Sequence, residues 1–118
     1  MAIHNELGKS GENMATEHLQ SLGYEILHVN WRFSHYEIDI IAKKGKKLHF
    51  IEVKTRSTEK YGYPEQSVSK KKFNYLKKAA DEYLQQHPGH PWIQYDILSI
   101  IASPSKKPGF FLLEDVFL

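Results

Sequence analysis

Apolar positions recur along this chain at two different periods. From about Asn5 to Leu22, the apolar, small or aromatic positions Leu7, Gly11, Met14, Ala15, His18, Leu19 and Leu22 fall close to a 3.6-residue repeat. That spacing predicts a helix, and Gly23 stops it. The pattern then turns strand-like from Tyr24 to Phe33. A second run, Tyr36 to Lys43, alternates through Glu37-Ile38-Asp39-Ile40 before ending apolar, and Lys44-Gly45-Lys46 makes a hairpin turn. The third strand, Lys47 to Thr55, places Phe50, Glu52 and Lys54 on one face and His49, Ile51, Val53 and Thr55 on the other. Arg56 to Gln66 carries no periodic pattern, and loops of that length in a small domain are often functional. Ser67 is a credible N-cap for a helix reaching about Gln86, with Phe73, Leu76, Ala80, Tyr83 and Leu84 as its buried stripe. Pro88-Gly89-His90-Pro91 ends that helix. Trp92 to Ala102 reads as a fourth strand, Ser103 to Gly109 as a turn, and Phe110 to Phe117 as the last strand. The order α-β-β-β-α-β-β predicts an α/β fold: a mixed sheet with the long first helix on one face and the second helix beside it.

At 118 residues the chain makes one domain, residues 1–118, because a second would lack residues for its own core. The absence of cysteine excludes disulfide scaffolds, cysteine-ligated zinc, iron–sulfur clusters and thiol catalysis. The N-terminus has neither the basic start nor the apolar run of a signal peptide, and no apolar stretch approaches the ~20 residues that span a bilayer. A cytoplasmic protein is expected. Net charge is only +2, but its distribution is uneven. Lys43 to Lys60 holds seven basic residues against two acids, and Lys70 to Lys78 holds five lysines and no acid. Such surfaces favour a polyanionic partner, although lysines also keep turns and helix faces soluble.

The chemistry concentrates on the second and third strands. Asp39 lies on one, and Glu52 and Lys54 share a face of the next. If Lys44 to Lys46 forms the hairpin, these side chains converge. Two carboxylates beside an ammonium make a hard-oxygen site for Mg²⁺ or Mn²⁺, and a divalent ion relieves their repulsion. Such a site suits phosphodiester hydrolysis, with Lys54 positioning the water or stabilising the transition state. On spacing alone, Glu52 and Lys54 read as well as an exposed ion pair worth under ~1 kcal/mol. Glu12 falls at the edge of the first helix's apolar stripe, where it either snorkels to solvent or reaches the cluster as a third carboxylate.

Glu12, Glu37-Ile38-Asp39 and Glu52-Val53-Lys54 together resemble the PD-(D/E)xK motif of restriction-endonuclease-like nucleases, in which a strand acid is followed on the adjacent strand by acid-x-Lys. The resemblance implies Asp39 and Glu52 as metal ligands, the Val53 carbonyl as a further ligand, and Lys54 as the catalytic lysine. Glu12 matches the helix glutamate of the Holliday-junction-resolvase-like branch. The whole chain resembles the YraN-like family of bacterial proteins, through Gly8 to Ala15, Gly23 to Leu27, Asn30-Trp31-Arg32, Glu37 to Ala42, Phe50 to Arg56 and Tyr95-Asp96-Ile97. That family is itself expected to be endonuclease-like. It usually carries Gly before the Glu-Ile-Asp string, where Tyr36 stands here and would narrow the approach to the site.

Around this centre, Arg56, Gln66, Lys70 and Lys77 are candidates for contacting nucleic acid. Arg56 directly follows the catalytic strand, and Lys70 and Lys77 share one side of the second helix. Tyr61 and Tyr63 would stack on an unpaired base or pack as a lid. Among the seven histidines no metal-binding spacing stands out; His18 is expected to pack on the first helix, and His35 precedes the acidic strand. The leading expectation is a Mg²⁺- or Mn²⁺-dependent endonuclease acting on structured or branched DNA. A non-catalytic nucleic-acid-binding module on the same fold, and a protein-binding module with a relic site, stay open beside it. Resolvase-like relatives act as dimers, so the resemblance admits a homodimer.

Overall fold

The computed structural model describes residues 3–56, 69–103 and 106–117, with side chains from residue 11 onward. The elements are α1 (Ile3–Ser21), β1 (Glu25–Phe33), β2 (Tyr36–Lys44), β3 (Lys47–Arg56), α2 (Lys70–Gln86), β4 (Trp92–Ser103) and β5 (Lys106–Leu113). This is the α-β-β-β-α-β-β order that the periodicity predicts. The strands form one sheet in the order β1-β2-β3-β4-β5. Neighbours are antiparallel except β3 and β4, which run parallel over Lys47↔Trp92 to Arg56↔Ile101. A tight turn cannot join parallel neighbours, so the chain leaves β3 and returns through α2.

The helices cover opposite faces of the sheet, which corrects the expectation that α2 lies beside α1. Ala15 and Leu19 of α1 pack with Ile40, Ala42, Ile51, Leu98 and Ile100. Phe73, Leu76, Ala79, Ala80 and Tyr83 of α2 pack with Ile38, Ile41, Leu48, Phe50 and Ile97. Consecutive residues Phe50 and Ile51 are both fully buried, each under a different helix. Central strands that are apolar on both faces need cover on both, and burying each such side chain stabilises by about 1.5–3 kcal/mol. At Gly11, α1 approaches β3 so closely that an added Cβ would stand 2.6 Å from Thr55 Oγ1.

Two boundaries differ from the sequence reading. β5 occupies Lys106–Leu113 instead of 110–117, and the expected turn from Ser103 to Gly109 is largely strand. Pro108-Gly109 reads locally as a turn, but β5 is an edge strand, where a proline's missing N–H removes no interior ladder bond. The strand ends at Leu113 because Asp115 turns with φ +57° and Val116 N–H donates to the Tyr95 carbonyl. Helix α2 is capped by Ser69, whose Oγ accepts from Lys72 N–H at 3.1 Å, instead of by Ser67. Serines at both positions carry the same local signal, and only the helix start distinguishes them. Ser67, Gln66, Tyr61 and Tyr63 lie outside the described residues.

Candidate active site at a fork in the sheet

The β2–β3 ladder runs from Lys44↔Lys47 to Ile40↔Ile51 and stops there. Beyond it, residues 36–38 pair only with β1, and residues 52–56 pair only with β4. The sheet therefore forks, with Asp39 on one prong and Glu52 and Lys54 on the other. Ile38 joins the α2-side core and Ile40 the α1-side core, so β2 departs from strict alternation around Asp39. Asp39 Oδ2 accepts the Val53 N–H at 2.8 Å, bridging the gap where the ladder has ended.

A cavity of about 220 Å³ opens at the fork on the α2 side. Asp39, Glu52 and Glu37 form its acidic wall, Lys72 and Leu76 of α2 face them, and His35, Tyr36 and Tyr75 line the remainder. Lys54 Nζ lies 3.4 Å from Glu52 Oε1, with both side chains about four-fifths withdrawn from water (20% and 18% exposed). Burial first, then the Glu52 charge, push the Asp39 carboxyl up from 3.8 to about 7, against the Val53 hydrogen bond, which lowers it. That conflict is what a divalent cation would relieve, and carboxylate oxygens are the donors that Mg²⁺ and Mn²⁺ prefer. Asp39 and Glu52 therefore suit a hard cation.

The fork brings together Asp39, Glu52 and Lys54 as the spacing predicts, and Val53, whose carbonyl the resemblance implies as a ligand, is joined to Asp39 through its N–H. Glu12 stands one step away: its Oε1 accepts from Asn30 Nδ2 at 2.8 Å. Asn30 falls between the register pairs Val29↔Ile40 and Trp31↔Ile38, hence alongside Asp39. Its φ of +54° is a left-handed conformation that asparagine tolerates well. Arg56 ends β3 opposite Ile101. Lys70 is exposed at the start of α2, and Lys77 Nζ sits 5.3 Å over the Phe73 ring. Gln66 cannot be placed, being outside the described residues.

The lysine of α2 that reaches the cavity is Lys72, which sequence reasoning passed over. The Lys54 amine beside it, then burial, pull it below the ordinary lysine range, while Glu52 and Asp39 oppose the shift. Its position beside Phe73 and one turn before Leu76, both buried, was an available signal for a cation at the margin of the buried stripe. Tyr75 was missed as well. His18 packs as expected from α1, its ring 4.0 Å from that of Phe110 and parallel to it.

A second polar grouping sits elsewhere. Asp96, fully buried, accepts from His49 Nδ1 at 2.7 Å, Gln94 Nε2 at 2.8 Å and Asp115 N–H at 3.0 Å. Glu114 accepts from Tyr24 Oη and Gln94 Nε2. His49, Asp96 and Glu114 are close enough together to hold a metal ion. Their hydrogen bonds within the chain already account for the arrangement, as a pin that fastens the end of β5 to the sheet.

Among the described residues, no helix is long and apolar enough to cross a membrane. The profile of uncharacterised protein family UPF0102 matches residues 11–100. A UPF0102 protein of Christiangramia forsetii is 46% identical over 103 residues, covering 87% of each chain. One from Bacteroides thetaiotaomicron is 44% identical over 102 residues, covering 86% of this chain and 84% of its own. One from Caldicellulosiruptor saccharolyticus is 43% identical over 96 residues, covering 80% and 81%.

Proposed function

The chain belongs to uncharacterised protein family UPF0102, and within that family we propose that it is a metal-dependent endonuclease of the cytoplasm, hydrolysing phosphodiester bonds in branched or junction-containing DNA. The observation that carries this reading is the convergence of Asp39, Glu52 and Lys72 on one open cavity at the fork, with Lys54 ion-paired to Glu52. Two carboxylates set against two amines suit a reaction in which an anion must approach anions. When bound, Mg²⁺ or Mn²⁺ held by Asp39 and Glu52 supplies Lewis acidity toward the phosphate oxygens and the attacking water.

The chain's own groups divide the remaining work. Glu52 fixes the Lys54 ammonium at 3.4 Å, so Lys54 is held in position before substrate arrives. From there it orients the attacking water and stabilises the negative charge that grows on the phosphoryl oxygens. Lys72, on the opposite wall, holds the phosphate and adds a sequence-independent contact. Val53 N–H fixes the orientation of the Asp39 carboxyl, and Asn30 holds Glu12 within reach of the same prong. The water oxygen bonds to phosphorus as one ester P–O bond breaks, leaving a phosphate monoester and a free hydroxyl. Because a junction presents two symmetric strands, two copies would cut it, one strand each.

The test is cleavage of single-stranded, duplex, flap and four-way-junction DNA in Mg²⁺ or Mn²⁺, beside an Asp39→Asn control purified identically. Cutting by the unmodified protein alone supports the endonuclease. No cutting, or equal cutting by both proteins, overturns it in favour of a nucleic-acid-binding module on the same fold.

A further inference from the structure

The aromatic lining of the cavity has no part in the hydrolysis described above. Tyr75, on α2, is 39% exposed although its neighbours Leu76 and Phe73 are buried. Its ring centre lies 5.5 Å from Tyr36 and 6.2 Å from His35, and those two rings are 4.2 Å apart. All three line the same cavity as Asp39 and Glu52. Cations flank the rings: Lys71 Nζ is 6.0 Å from the Tyr75 ring centre, and Lys72 lines the cavity itself. Aromatic faces interleaved with ammonium groups are how proteins hold nucleotides, base on ring and phosphate on cation.

Geometry decides which nucleotides fit. In a continuous duplex the bases are paired and stacked inside, while the phosphates lie outside. A ring sharing a cavity of about 220 Å³ with the carboxylates cannot meet a paired base while the adjoining phosphate sits at those carboxylates. That volume falls below the ~300–1,000 Å³ of pockets for drug-sized ligands, so it suits one base with its phosphate. We propose that Tyr75, with Tyr36 and His35, forms a stacking subsite for an unpaired nucleobase next to the scissile phosphate. The preferred substrate is then DNA with an unpaired nucleotide at the cleavage point, in preference to continuous duplex. This rests on the phosphodiester reading of Asp39 and Glu52.

The test uses 2-aminopurine-labelled DNA, single-stranded and in matched duplex, titrated by fluorescence with the full chain carrying Asp39→Asn in Mg²⁺. Tyr75→Leu and Tyr75→Phe are then added separately. Leucine keeps an apolar side chain on the helix, and phenylalanine keeps the ring. Single strand is expected to bind tighter than duplex; Tyr75→Leu weakens it roughly 5- to 150-fold, and Tyr75→Phe stays within about twofold. Equal affinity for both DNAs, or a Tyr75→Leu protein that binds single strand unchanged, overturns the subsite. Cleavage assays on the unmodified protein separate the two failures. If it cuts duplex as well as single strand, with Asp39 required, the subsite falls and the nuclease stands. If it neither binds nor cuts DNA, both fall.

Discussion

The Val53 N–H donates to Asp39 Oδ2 at 2.8 Å, across the point where β2 and β3 part. Had the ladder continued from Ile40↔Ile51, backbone would face backbone there. Instead a side chain takes the amide, which opens the sheet and leaves a carboxylate at the opening. One residue thus closes the hydrogen bonding of the fork and supplies its chemistry, and substitutions can separate these two roles.

Asp39→Asn keeps an oxygen for the Val53 amide while removing the charge. Cleavage should fall by about 100-fold or more, since an electrostatic group is lost from the reacting centre. Thermal stability near pH 8 should be equal to or above that of the unmodified protein. Asp39→Ala should lose cleavage equally and also about 1–3 kcal/mol of stability relative to Asn, from the unpaired amide. Denaturation curves beside the cleavage assay measure both.

The Asp39 carboxyl is raised from 3.8 to about 7, so the fold favours its protonated form. In chelator, the stability this group contributes is full below its unfolded value and is lost as pH rises through about 7. The Tm of metal-free protein should therefore decline between about pH 5 and pH 8 more than that of Asp39→Asn. Mg²⁺ or Mn²⁺ should raise Tm more at the upper pH, where the cation displaces fewer protons. A scan showing the same pH profile for both proteins would contradict this.

Gly11 and Thr55 meet where α1 crosses β3. Alanine at Gly11 would set its Cβ 2.6 Å from Thr55 Oγ1, and β-branched threonine rotates away poorly. Gly11→Ala should cost about 1–3 kcal/mol by overpacking. In a Thr55→Ala background the same change should turn stabilising by up to about 1 kcal/mol, from helix propensity alone. A double-mutant cycle in denaturant reads the change of sign.

Asp96→Ala should destabilise by about 3 kcal/mol or more, since it leaves the His49 ring, the Gln94 amide and the Asp115 N–H without their acceptor. Glu114→Ala, at an exposed position, should cost under about 1 kcal/mol. Neither should change cleavage per folded molecule, because the pin packs beside Tyr24 of the α1-side core, whereas the cavity opens on the α2 side. Urea titrations and activity at low temperature check the pair.

Lys72→Ala should weaken DNA binding by a similar factor across sequences and reduce the salt slope of log affinity by about one. Lys54→Ala should act mainly on the rate of cleavage at saturating DNA. Titrations at several salt concentrations, paired with single-turnover rates, separate the two lysines.

Short-range order in the sequence determined much of this protein. Period-3.6 and period-2 runs placed both helices and five strands in order, because each repeat reports which side of its own segment is apolar. The same alternation put Glu52 and Lys54 on one face, and the acid-x-Lys spacing on neighbouring strands pointed to the carboxylate pair. Propensity also misled where context overrides it, as at Pro108 on an edge strand and at the paired serines Ser67 and Ser69. What only the tertiary structure decided depends on register and on residues far apart in the chain. Periodicity cannot say where the β2–β3 ladder stops, so the fork and the Asp39–Val53 bond were invisible. Nor can it say that α2 crosses to the face opposite α1, which brings Lys72 and Tyr75 to the carboxylates and leaves Lys77 on Phe73. A side chain's period is written by its neighbours along the chain, but its partners at a site are chosen by the packing of distant elements, and that packing exists only once the sheet has formed.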